Sequence, residues 1–279
     1  MSSTPNPLKQ YFRKPQLFIK LPSNGRFWPE GSLTLPATGE LPVLSMTASD
    51  ELYLMTPDAL MNGDAVVSLI QNCMPNIIDA WQTPSVDLET ILVSIRIASV
   101  GDKLGIESTC PKCKESREYD IDLKSLALIE SPDIWESELT LGNLTLNFRP
   151  LSFQILNNYN QSVFQIRKRL QQIPDIEDPD IKEQITNQTM NDYSQLDLQF
   201  IIDTIVSIRA DGHTVTNSEH IAEFISNCDK KTYSKIRDHV EKLKATTHFQ
   251  DVDITCADCG HRYATSITLD YTSFFELGS

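Results

Sequence analysis

The sequence predicts an α+β fold: β-hairpins held by a zinc-ribbon-like four-cysteine staple, combined with a long helical hairpin. Three observations carry this. Two Cys-x-x-Cys motifs, about 140 residues apart, stand between β-rich flanks. Two alternating runs surround Gly142-Asn143 in Leu139–Leu146, the pattern of a two-residue β-hairpin. Beyond Pro150, Leu156, Tyr159, Val163, Ile166, Leu170 and Ile173 recur at steps of three and four, the seam of a long helix.

Along the chain, residues 1–30 are rich in Pro, Asn and Lys, with one apolar run at Leu17–Leu21. Pro22–Gly31 holds two Gly and two Pro and is a turn segment whose Phe27 and Trp28 need something to pack against. Strands are predicted at Ser32–Leu35 and Leu41–Met46. Thr47 or Ser49 caps a helix that Pro57 interrupts. Helices follow at Asp64–Cys73 and Val86–Ala98, the second with Leu88, Ile91, Leu92 and Ile95 on one face and Gly101 at its end.

The helix from Pro150 to about Gln172 turns at Pro174–Pro179 into a second, over about Asp180–Ile208, with Tyr193, Leu196 and Phe200 at similar spacing. Either the two seams bury each other, or one serves a partner helix or another copy of the chain. Ala210–His213 is a turn. A helix at Ser218–Cys228 sets Ile221, Phe224, Ile225 and Cys228 on one face, and a basic helix runs from Lys230 to Lys244. The predicted organisation is an N-terminal α+β region (1–149) with the first knuckle, a mainly helical region (150–249), and a C-terminal knuckle hairpin (250–279) that packs back on the first.

The two knuckles nearly match. The first reads Thr109-Cys110-Pro-Lys-Cys113, the second Thr255-Cys256-Ala-Asp-Cys259, and in each an Ile-x-Leu begins eight residues after the last cysteine, at Ile121 and at Ile267. A Cys-x-x-Cys turn directs both sulfurs at one metal ion and so supplies half of a tetrahedral site. With no spare Cys or His pair beside either knuckle, Cys110, Cys113, Cys256 and Cys259 are predicted to share one structural zinc ion. Gly260 suits the knuckle turn, and Lys114 takes its place in the first. Redox dithiols would need a knuckle at the start of a helix beside a βαβ unit, and neither has one. Four sulfurs leave no open coordination position, so the metal is a staple and not a catalyst.

Cys73 and Cys228 read as core cysteines. The five histidines are scattered, and no HExxH, phosphate loop or nucleophile elbow appears, so no enzymatic activity is predicted. The 279 residues carry 24 basic and 38 acidic side chains, a net charge of −14. That balance opposes general nucleic-acid binding, which needs a basic face. No run is apolar enough for a membrane span or a signal peptide, and the cysteine usage fits a reducing compartment, so synthesis in a cytoplasm is expected.

The order of several motifs resembles a known family. Leu21-Pro-Ser-Asn-Gly-Arg-Phe-Trp-Pro29 precedes a strand and Met46-Thr-Ala-Ser-Asp-Glu51; Asn72-Cys73 and Ile95-Arg-Ile97 follow. Next come the Cys-Pro-x-Cys knuckle, Asp120-Ile-Asp-Leu123, the second knuckle and Ser273-Phe-Phe275. This is similar to the T4-type bacteriophage baseplate family, the hub or hub-assembly proteins of contractile tails. The resemblance implies a non-enzymatic virion protein, built into the tail baseplate or assisting its assembly in the host cytoplasm, with other tail proteins as partners. Phe27, Trp28, Phe274 and Phe275 are the predicted partner interface; the alternative is that these aromatics close the chain's own core, Phe274 above all because it follows the second knuckle hairpin. The competing reading is a zinc-ribbon nucleic-acid or transcription module with Lys230–Lys244 as its contact; net acidity opposes it.

Overall fold

The computed structural model describes residues 11–127, 137–247 and 251–266, with Leu8, Trp135, Phe274 and Phe275. Two hydrophobic cores organise them.

The first core begins with β1 (Pro15–Lys20) and β2 (Glu40–Leu44), an antiparallel pair that sets Leu17 opposite Val43 and Ile19 opposite Leu41. Helix α1 (Ala48–Leu54) starts at Thr47, whose hydroxyl accepts from the Asp50 N–H while the Asp50 carboxylate accepts from the Thr47 N–H, a capping box. The helix stops at Leu54, short of Pro57, as expected. Pro57 itself sits at the first position of a separate helix, α2 (Pro57–Met61), where its missing N–H costs nothing. Helices α3 (Asp64–Cys73) and α4 (Ser85–Ser99) bury their apolar faces on this layer; Ile70, Ile91, Leu92 and Ile95 are fully enclosed. Gly101, at φ +126°, closes α4.

Ser32–Leu35 is not a strand. Only Leu33 forms a bridge, with Ile77. Gly31, at φ +83°, and Pro36 bound the segment and leave it too short to propagate a ladder.

A hairpin follows, β3 (Lys103–Thr109) and β4 (Ser116–Asp122), then one turn of helix, α5 (Lys124–Ala127). The second core is built on an antiparallel sheet with the order β5 (Glu138–Leu141), β6 (Leu144–Phe148), β7 (Ile205–Ala210), β8 (His213–Val215). Gly142-Asn143 joins β5 to β6 as predicted. Asp211-Gly212 joins β7 to β8 with both residues left-handed, φ +46° and +83°, as a tight hairpin turn requires. Strands 138–148, which the sequence groups with the N-terminal region, therefore share a core with the helices after them: Leu146, Phe148 and Leu151 pack with Phe200, Ile201, Ile225 and Val240.

Between β6 and β7 rise α6 (Phe153–Gln172) and α7 (Pro179–Thr204), joined by a short 3-10 turn at Ile173–Asp175. The Tyr159 ring lies 4.8 Å from that of Phe200, and Arg169 pairs with Asp192 at 2.6 Å, so the partners run in opposite directions and the helices are antiparallel. The seams do meet: Ile166, Ile173, Thr189 and Phe200 are buried.

Two expectations need correction here. Tyr193 is 46 % exposed, and Thr189 fills the seam instead, its hydroxyl satisfied by the Ile185 carbonyl at 2.7 Å. The second helix also ends at Thr204 and not at Ile208. The β-branched run from Ile205 to Ile208 pairs with β6, where a ladder and the sheet's apolar face outweigh one more helical turn. Helices α8 (Ser218–Asn227) and α9 (Lys230–Ala245) cover the sheet, α9 through Ile236, Val240 and Leu243. The chain returns in a last hairpin, β9 (Val252–Thr255) and β10 (Arg262–Thr265), to lie beside β3 and β4. The α+β class is the one observed.

Candidate metal centre

Each knuckle is the turn of an antiparallel hairpin, β3–β4 for the first and β9–β10 for the second. Their backbones repeat each other. The Cys110 N–H donates to the Glu115 carbonyl and the Lys114 N–H to the Cys110 carbonyl, both at 2.9 Å. The Cys256 N–H donates to His261 and the Gly260 N–H to Cys256, also at 2.9 Å. Lys114 adopts φ +66° and Gly260 φ +68°. The lysine is therefore bent into the conformation that glycine takes freely, at a steric cost of about 1 kcal/mol.

The hairpins bring Cys110, Cys113, Cys256 and Cys259 together, with all four Sγ atoms within 4.8 Å of one another. The contacts that cross between knuckles are Cys110 to Cys259 at 3.7 Å and Cys113 to Cys256 at 3.6 Å. These are far beyond a disulfide bond of about 2.05 Å, and all six cysteines are free. They are close to the edge of a thiolate tetrahedron, since sulfurs about 2.3 Å from one ion stand about 3.8 Å apart. The four residues thus fit a closed tetrahedral site and could bind a metal. Backbone N–H groups of Cys259 and Asp258 aimed at the Cys256 sulfur bring its pKa down to about 6 against the opposing effect of burial, which favours a thiolate there.

Other contacts tie the hairpins together independently of the sulfurs. The Arg117 guanidinium on β4 forks onto Asp258, Nε to Oδ2 at 2.6 Å and Nη2 to Oδ1 at 2.5 Å. The Tyr263 hydroxyl donates to Ser108 at 3.1 Å, and Ser108 reaches Thr265 at 3.3 Å. Sequence reading missed this layer. Asp258 lies inside the second motif and Arg117 four residues past the first, but only the three-dimensional register shows that they meet. Ile267 and Leu269, the second Ile-x-Leu, lie outside the described residues; Ile121 and Leu123 of the first are buried.

Cys73 is fully buried, and its thiol is pushed up to about 11 by burial, as expected of a core cysteine. Cys228 is half-buried, with its Sγ 3.4 Å from the Ile225 carbonyl.

The four aromatics predicted as a partner surface are engaged within the chain. Phe274 and Phe275 are each 3 % exposed and belong to the first core, the alternative to a partner contact. Apolar rings that can reach a core gain more from its enclosure than from solvent, and Arg96 lies 5.4 Å over the Phe274 ring. Phe27 is half-buried edge-on to Trp135, ring centres 6.1 Å apart. Trp28 is half-buried, its indole N–H donating to Asp87 at 2.7 Å.

Fold and site together define a mixed α+β scaffold whose chain is closed by a four-thiol cluster. A family profile described as T4 bacteriophage base plate protein matches residues 28–276. The chain belongs to that family, and it is a phage tail baseplate-related protein. Neither a curated protein nor a solved structure matches it. Among the described residues no helix is long and apolar enough to cross a membrane.

Proposed function

We propose that the protein is a non-enzymatic component of the baseplate hub or a factor that assembles it, with a fold locked by one structural zinc ion. The observation that carries the zinc reading is the pair of cross-knuckle sulfur distances, 3.6 and 3.7 Å, which match a zinc–thiolate tetrahedron. Soft thiolate donors in fourfold tetrahedral array favour zinc over the hard cations. Zinc bound there would neutralise developing thiolate charge and close the site. Cys110 and Cys113 hold it from one hairpin and Cys256 and Cys259 from the other, while Arg117 and Asp258 fix the angle between them.

Family membership supports a place in the virion tail, in contact with other tail proteins after assembly in the host cytoplasm. The absence of an open coordination position supports a structural role. Two measurements test the reading together. Metal analysis of the purified chain should give about one zinc per chain. Infection with phage carrying Cys113→Ser should yield few complete baseplates by electron microscopy. A metal-free chain of unchanged melting behaviour would remove the zinc, and normal baseplates without the protein would remove the assembly role.

A further inference from the structure

Large apolar side chains are exposed along one stripe outside the cores. Leu52 on α1 and Met55 at its C-terminal cap are 68 % and 59 % exposed; on α2, Met61 is 54 % exposed. Helix α6 lies against this corner. Gln161 donates to the Met61 carbonyl at 3.1 Å and Asn157 to the Asn62 carbonyl at 2.7 Å. Phe164, 49 % exposed, follows Gln161 by three residues, and Lys168 by seven, so both share its helix face.

The charge along the stripe is divided. From residue 27 to residue 95 the chain has nine acidic side chains and no Lys or Arg at all. Glu51 and Asp58 flank Leu52, Met55 and Met61. Helix α6 is the reverse, with Arg167, Lys168 and Arg169 and no acidic residue. Arg169 is paired with Asp192, whereas among the described residues no ion pair holds Arg167, Lys168, Glu51 or Asp58.

We propose that this stripe is the interface of a two-fold homodimer. In an isologous contact a surface must complement itself, so an acidic apolar half beside a basic apolar half is the required pattern. Turned about a two-fold axis between Met61 and Phe164, the Lys168 end of one copy meets the Asp58 end of the other. Methionines adapt to an opposing ring, and Phe164 supplies one. The seam between α6 and α7 takes no part, since it is closed within the chain.

Sedimentation of the full chain across a concentration series tests this. A dimer should form at low salt and weaken at high salt. Lys168→Glu and Asp58→Lys should each weaken it about tenfold or more, and the double variant should recover most of the loss, because the pair is then merely exchanged. Melting curves confirm folding. If Asp58→Lys unsettles α2, Glu51→Lys with the same Lys168→Glu supplies a second cycle. A chain that stays monomeric at low salt overturns the proposal, and so does a double variant as weak as the singles.

Discussion

The indole N–H of Trp28 donates to the Asp87 carboxylate at 2.7 Å, across 59 positions of sequence. Ser23 adds two more donors, its N–H at 2.8 Å and its hydroxyl at 2.5 Å, so one fully buried carboxylate on α4 holds the whole Leu21–Pro29 turn. Asp87→Ala would leave these donors buried without an acceptor. A loss of about 3 kcal/mol is expected, with a red shift of Trp28 fluorescence in the folded state. Unchanged emission would mean that the turn has another anchor.

The same residue sets a pH dependence. Burial raises the Asp87 carboxyl from 3.8 to about 6, against the donors that lower it. A group whose folded pKa exceeds its unfolded value contributes stability that is present in full below the unfolded pKa and is lost as pH rises through the folded one. The advantage of the native chain over Asp87→Asn should therefore be greatest near pH 4 and shrink by pH 7. Denaturant midpoints at both values check this; a gap that widens toward pH 7 would reverse the assignment.

The matched knuckles predict opposite outcomes for two exchanges. Lys114→Gly relieves a left-handed side chain and should stabilise the fold by up to about 1 kcal/mol. Gly260→Ala meets no atom within 4 Å but adopts φ +68°, and should cost about as much through backbone strain alone. Thermal melts of the two single variants, run side by side, decide the matter. Equal signs would show that the turns are not equivalent.

Cysteine replacement should separate the site from the core. Cys110→Ser should abolish stoichiometric zinc binding and make the melting curve insensitive to chelator. Cys73→Ser, which places a hydroxyl in the first core, should lower stability while leaving the metal content unchanged. Loss of zinc from the Cys73 variant would show that the two regions are coupled.

Phe274→Ala should destabilise the first core by about 3 kcal/mol or more, as for a buried aromatic, although it lies near the end of the chain. It would also leave Arg96, itself 5 % exposed, without the ring beneath it. A shift within experimental error would place Phe274 outside the core.

What could be read from the sequence had local causes. The thiol cluster followed from Cys-x-x-Cys spacing, the β5–β6 hairpin from Gly142-Asn143, and the α6–α7 hairpin from its seam. What could not be read depended on distant partners. Ile205–Ile208 reads as the end of a helix until β6 is beside it. Tyr193 fits the heptad as well as Thr189 does, and only packing separates them. The fork of Arg117 onto Asp258 spans 141 positions that no local pattern connects. Nothing local shows where Phe274 and Phe275 pack, because the core they join is assembled from residues about two hundred positions earlier.

The two halves of the thiol cluster lie 143 positions apart between Cys113 and Cys256. During synthesis the first hairpin emerges with two sulfurs, and it must wait for the second hairpin to supply the other two. A ribosome that stops before Cys256 releases a molecule with only half of the cluster. The spacing of the knuckles thus acts as a checkpoint on translation: a chain gains the four-thiol cluster only if synthesis has passed Cys259.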